Sequence, residues 1–485
     1  MFSCRLIRLL CAAILLAVTA FGDEENYWPF YVHRDAEGTT AASTQYLGPL
    51  IFAQSGPGAT HGVRPLFQES TTDGVVQGNA LYPLFTWRRE ADYGSFSFIE
   101  LINSKTDREN AARPDGRFDI WPLYFSRTAA DPAESYRALF PLGGTIKHRF
   151  AKDRISFVLF PLYAQTQRNG RQITHAPWPF LSFIQGAGYH GFEFWPLFGR
   201  STHDGDYDDQ FYLWPLGYKS IAHLSAETPD VKIGALPFYA RDTGPGYISE
   251  TYGWPFFGYT HRTAPYHFDE QRYFWPLLVQ AKGDDRMVNR WAPLYTHSVI
   301  KGTDKTWVLW PLYRDQRWSA DGVAQEKVQV IYFFWWSLTQ HSLANPAAAP
   351  AHKTHLWPLF SAWDNGAGRR QVQALSPFEV FFPNNETVRQ LWSPLFALYR
   401  YERDADASTR TSLLWNAVTW RQTPLAREFH LGPLFSVQTD ASRHRVAFGN
   451  GVFGWQRLAG EGRRFFLFDF RPKAAKLQAS QDSPP

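Results

Sequence analysis

Four carboxylates crowd one short stretch of the chain: Asp204, Asp206, Asp208 and Asp209. Alternating acids of this kind supply the oxygen ligands that Ca²⁺ prefers. A helix–loop–helix calcium loop needs Gly at its sixth position and Glu at its twelfth. Counted from Asp204, those positions hold Asp209 and Pro215, so a solvated acidic turn is expected instead. His352 and His355 form a His-x-x-His pair, but no Glu or Cys stands at metal-site spacing beside them. Asp119 and Glu134 are acids that nothing aligns for proton transfer. Asn385-Glu386-Thr387 is a glycosylation sequon by pattern alone. The chain has no Gly-x-Ser-x-Gly elbow, phosphate loop or Gly-x-Gly-x-x-Gly turn. The sequence therefore predicts no catalytic residue, no metal site, no cofactor and no enzyme. Aromatic rings offer a different chemistry, stacking on sugars or bases. Trp318, Trp363 and Trp420 lie off the main aromatic register and are the expected binding candidates, whereas the remaining Trp residues are expected in a core.

The elements that must position these side chains follow from an unusual composition. The 485 residues include 20 Trp, 23 Tyr, 40 Phe, 33 Pro and 35 Gly, a mixture that favours strands and turns over helices. The formal net charge is only +4, and it falls further if Arg5 and Arg8 are removed. That balance makes no electrostatic case for nucleic acid or for an anionic membrane surface. Arg5 and Arg8 precede an apolar run from Leu9 to Val18, followed by small residues at Ala20 and Gly22. This is the layout of an export signal, and the run is too short for a spanning helix. Both cysteines, Cys4 and Cys11, fall inside it, so the mature chain is expected to hold no disulfide and no thiolate site.

One short phrase recurs along the rest of the chain. Trp-Pro begins at residues 28, 121, 178, 195, 214, 254, 275, 310 and 357, usually followed by Leu or Phe. Degenerate copies fill the gaps, among them Arg64-Pro65-Leu66, Phe140-Pro141-Leu142, Leu236-Pro237-Phe238, Ser376-Pro377-Phe378 and Ser393-Pro394-Leu395. Pro-less copies fall near Ile99, Trp335, Trp415 and Phe453. Between copies lie polar tips with turn residues, such as Arg168-Asn169-Gly170 and Asp321-Gly322. The reading is all-β: about 23 antiparallel hairpin units of roughly 20 residues in a closed or spiral array. Each Pro would mark the point where the chain crosses a hub of Trp and Leu. The alternative is a large transmembrane β-barrel of about 22 strands, for which an apolar middle of about seven residues is long enough. Pro in mid-strand and apolar residues on both faces count against it.

The repeats resemble those of a loosely defined group of exported bacterial proteins with Phe-Pro-Leu-Tyr or Trp-Pro-Leu-Phe units. The resemblance spans nearly the whole mature chain. It implies a cell-envelope location, periplasm or outer membrane, in a double-membrane bacterium, and it transfers no functional residue. The expected organisation is a signal peptide over 1–22, a β-repeat domain over 23–470 with a subdivision near 343–353, and a disordered tail over 471–485. A polar loop is expected from Lys105 to Arg117. The expected function is non-enzymatic, a structural or binding role in the envelope. The outer membrane or an envelope polysaccharide is the expected partner, and nucleic acid is not. An outer-membrane pore or transport protein is the alternative function.

Overall fold

A computed structural model describes residues 24–36, 41–56, 58–109 and 114–470. The expected signal and tail lie outside them. The described chain is all-β, with 45 strands, and every strand pairing is antiparallel and joins neighbours in sequence. The hairpin-repeat reading therefore holds. Two compact units divide the chain, one holding residues 74–357 and the other the segments before and after it.

The 74–357 unit runs from strand Val75–Ala80 to strand Ala351–Leu356. Its strands are short, typically six residues, as in Tyr189–Phe194, Phe198–His203 and Tyr207–Tyr212. Each Trp-Pro-Leu phrase is a tight turn at one end of a hairpin. The polar tips are the turns at the other end. The barrel alternative fails on two counts: proline does not sit in mid-strand, and the strands are twice as many and far shorter than it requires. Apolar residues flank each Pro because the turn and both strand ends beside it are apolar, not because one long strand crosses a membrane. Proline suits this place because the turn needs no N–H from it. Leu197 N donates to Phe194 O across one such turn, and Leu216 N to Leu213 O across the next. At the polar end, Asn169 and Gly170 both take positive φ, 49° and 78°, the backbone that a two-residue hairpin turn demands.

Alternation along the strands separates two faces. The well-buried residues of this unit, among them Phe125, Phe157, Ala164, Ile184, Val279 and Val288, share one face. Glycines on that face make room for rings on the next strand. A Cβ at Gly199 would lie 2.3 Å from Phe211, and one at Gly234 only 2.1 Å from Tyr218. The rings lean over the glycines. The stretch expected to be a polar loop is mostly a hairpin. Ile102–Asp107 pairs with Asp115–Ile120 in register, since its residues alternate well enough to hold strand.

In the other unit, the first strands and the last ones face each other through polar side chains. Glu24 pairs with Arg410 at 2.8 Å, Arg34 with Glu402 at 3.3 Å, and Asn26 Nδ2 donates to Asn416 O. Strands Arg370–Ala374 and Tyr399–Arg403 pair directly, and the chain between them leaves the repeat. That segment carries two short helices, Glu386–Leu391 and Ser393–Phe396. The two repeat copies expected at Pro377 and Pro394 are therefore not strand turns. Asn385 caps the first helix, its side chain accepting from Val388 N, and Pro394 sits in the first turn of the second, where no N–H is needed.

Candidate functional site

The Trp-Pro-Leu turns of the 74–357 unit all lie on the same side of its strands, because the chain reverses twice between one turn and the next. Consecutive turns are roughly 10 Å apart, twice the strand spacing. They are stitched together by backbone hydrogen bonds. Trp178 N donates to Pro161 O, Trp214 N to Pro196 O and Trp310 N to Pro293 O, each within 2.8 Å. Leu159, Leu213 and Leu309 donate likewise to Leu142, Leu197 and Leu294 of the preceding turns. The prolines contribute acceptors and no orphan donor, so these backbone bonds are satisfied within the ledge itself.

The side chains on this ledge are exposed. Trp121, Trp214 and Trp310 keep 51%, 53% and 58% of their surface in solvent, and Leu162 and Leu294 more than 60%. This overturns the expectation that the repeated Trp and Leu form a buried hub. Neighbouring rings touch along the row: Phe160 and Trp178 lie 5.4 Å apart, and Trp195 and Trp214 6.1 Å. Next to the turns, the solvent face of the sheet carries Phe198, Tyr212, Tyr252, Phe257, Trp291 and Tyr295, all exposed. Two residues further from the turn, the same face carries polar groups at Arg200, Gln210, Gln280 and Asn289. The apolar band thus covers the turns and about one outward position per strand, a depth of roughly 7–10 Å. An apolar cavity of about 320 Å³ opens beside it, between Trp121, Phe125, Phe150, Phe157, Phe160 and Trp178.

The residues singled out in the sequence do not assemble a reactive centre. Asp208 is clamped by Arg200 through two hydrogen bonds, and Asp206 pairs with His203. Asp208 and Asp209 are consecutive strand residues and point to opposite faces. His352 and His355 are likewise on opposite faces of strand Ala351–Leu356. His355 is buried against the Trp336 ring, and His352 is exposed. Asp119 is buried and bonded to Arg149 at 2.7 Å, whereas Glu134 pairs with His148. Among the described residues no three His, Cys, Asp or Glu side chains are placed to hold a metal ion. Of the three Trp residues favoured for binding, Trp420 is exposed, but Trp318 and Trp363 are half-buried. Asn385 of the sequon caps a helix.

A polar cavity of about 200 Å³ lies in the unit that holds the segments before residue 74 and after residue 357, and its lining includes Arg34, Arg64, Glu379, Arg400 and Glu402. Its charges largely serve the fold. Arg400 and Arg34 both pair with Glu402. Arg64 donates to Gln390 O and Pro49 O and covers the Phe52 ring at 3.8 Å. Burial pushes the Glu402 carboxyl up, but Arg400, Arg34 and Arg410 outweigh it and hold the group well below the usual carboxylate range.

The exposed ledge was hidden by its own signal: a recurring Trp looks like a core position, and only the strand count shows that it is a turn. No helix among the described residues is long and apolar enough to cross a membrane, which says nothing of strands. No protein-family model matches the chain, and no curated protein matches it.

Proposed function

We propose that the protein is a non-enzymatic, exported component of the bacterial cell envelope that binds a membrane surface through its ledge of Trp-Pro-Leu turns. The observation that carries this reading is the ledge itself: a row of exposed Trp, Phe and Leu whose backbone groups bond one another. Three physical arguments support a lipid surface as the occupant. Trp is the residue best suited to the membrane–water boundary. A band roughly 7–10 Å deep matches the depth at which amphipathic elements lie in the headgroup and upper acyl region. Turns that pair many of their N–H and C=O groups with one another enter an apolar medium at less cost than open loops. The polar tips remain in water at the opposite end of every hairpin. The export signal expected over residues 1–22 agrees with an envelope location.

The test is fractionation of the mature protein expressed with its own leader. The reading predicts recovery with membranes, release by alkaline carbonate, and flotation of the purified protein with lipid vesicles. Protein that stays soluble and ignores vesicles would overturn it. Protein that resists carbonate and needs detergent would replace it with a transmembrane arrangement.

A further inference from the structure

The buried face of the 74–357 unit changes character in its last third. From strand Arg286–Trp291 to strand Trp335–Ser342, the positions on that face include Arg286, Arg290, Lys305, Arg314 and Lys327, and none is an acid. The nearby strand acids, Asp304, Asp315 and Glu326, all point to the other face, where they pair with His297 and Arg317. Lys305, Gln316 and Lys327 form one rung across three adjacent strands. Two lysines two strands apart stand roughly 10 Å from each other at the backbone. Arg314 stands in the next rung, level with Trp307 and Gln329.

Lys305, Arg314 and Lys327 meet rings and amides on this face but no carboxylate of these strands. Arg314 lies 4.9 Å over the Trp307 ring, and its Nη1 and Nη2 atoms donate to the Gln329 and Gln316 amides. Its Nε is buried without an acceptor. Lys327 lies 4.7 Å over the Trp336 ring. Neither lysine meets a carboxylate, since every acid of these strands is on the far face. Burial, and then the positive charge of Arg314, hold both ammonium groups below the ordinary lysine range. Half-buried like charges held together without a counter-ion cost stability, and a protein gains by filling such a place with an anion.

We propose that Lys305, Arg314 and Lys327 form a binding site for a phosphate group. The three side chains present only N–H donors, and a tetrahedral oxyanion offers enough acceptor oxygens to meet all of them. Trp307 and Trp336 flank the site and suit a ligand with an apolar or ring-bearing remainder. The site stands on the charge pattern of this face and does not rest on the membrane reading.

The full mature chain is titrated calorimetrically with pyrophosphate, and separately with vesicles of phosphatidylcholine with and without phosphatidic acid. Binding to pyrophosphate identifies a free phosphate compound as the source. Binding only to vesicles that contain phosphatidic acid identifies a lipid headgroup. Either must weaken by at least about tenfold in Lys305→Gln and in Lys327→Gln, and must be unchanged in Arg317→Gln on the opposite face. Amine acetylation read by mass spectrometry supplies a second measurement that no folding defect confuses: the ligand must protect Lys305 and Lys327 in the unaltered protein. The proposal is overturned if neither probe binds, if binding survives both lysine substitutions, or if the two lysines stay equally reactive with ligand present.

Discussion

Acid should loosen the unit formed by the chain ends before it affects the hairpins of residues 74–357, and the Glu24–Arg410 pair sets the size of the effect. Glu24 is almost wholly buried, with 1% of its side chain exposed, and both its oxygens accept from Arg410, at 2.8 and 3.1 Å. Burial alone would raise its pKa. The guanidinium beside it reverses that and leaves the carboxyl at about 2, against an ordinary value of 4.5. A carboxyl whose pKa is lower in the folded state stabilises the fold above its unfolded pKa. That stability drains away as pH falls from about 4.5 to about 2. The gap corresponds to on the order of 3 kcal/mol. Glu402 is shifted in the same direction, by Arg400, Arg34 and Arg410 against its own burial, and adds to the slope. The perturbation is Glu24→Gln at neutral pH, which strands Arg410 without its carboxylate. Removing one partner of a buried pair costs about 3–5 kcal/mol. The assay is hydrogen exchange of the amides in strands Glu25–Tyr27 and Thr409–Leu413, followed from pH 6 to pH 3. Protection should fall with pH in the parent. In the variant it should be lower at pH 6 and fall less steeply below it, keeping only the slope that Glu402 supplies. Replacing both partners, Glu24→Gln with Arg410→Met, should restore part of the loss. A variant with the parent's protection and the parent's pH slope would refute the reasoning, because the pair would then be carrying no stability.

Other expectations follow from the 74–357 unit. Gly234→Val should destabilise it by about 2 kcal/mol or more, seen as a lower denaturation midpoint, because its Cβ would meet the Tyr218 ring at 2.1 Å. Arg272→Met should cost about 3 kcal/mol by the same measurement. Its guanidinium donates to Glu270, Thr260, Thr251 and two backbone carbonyls, and its loss leaves Glu270 without that counter-charge. Leu162→Asn, Leu216→Asn and Leu294→Asn together should leave the denaturation midpoint within experimental error, since all three are exposed. The same triple variant should weaken vesicle partition by on the order of 3 kcal/mol, roughly a hundredfold.

Much of this fold was legible in the sequence, and the misreadings have a common physical cause. Asn169-Gly170 announces a hairpin turn because few other residue pairs take positive φ twice. Trp-Pro-Leu announces a repeat, but apolar residues on both sides of Pro are compatible with a buried crossing as well as an exposed turn. Periodicity cannot tell these apart, since it reports which residues are alike and not which are wet. The helix Glu386–Leu391 had its cap, Asn385, in plain view, yet the Ser-Pro-Phe and Ser-Pro-Leu phrases around it looked like further repeats. Glu24 and Arg410 stand 386 positions apart, and no local pattern links them. The Lys305, Gln316 and Lys327 rung needs strand register, which follows only once the turn residues are known. Of the acids read as a solvated turn, Asp204 and Asp206 lie in an exposed turn, whereas Asp208 and Asp209 belong to the strand that follows it; Arg200 and His203, which pair with Asp208 and Asp206, lie close by in the sequence.

If the proposed function holds, the ledge, and not the polar tips, meets a lipid surface. A mature chain begun after residue 22 has no cysteine, so single reporters can be placed cleanly. An environment-sensitive fluorophore is attached to Leu294→Cys on the ledge and, in a separate protein, to Asp285→Cys at a tip. Each labelled protein is mixed with phosphatidylcholine vesicles, with and without lipids brominated high on the acyl chain. A ledge seated in lipid gives a blue shift and strong bromine quenching at position 294, and neither at position 285. Equal responses at the two positions, or none at 294 with vesicles in excess, would contradict it.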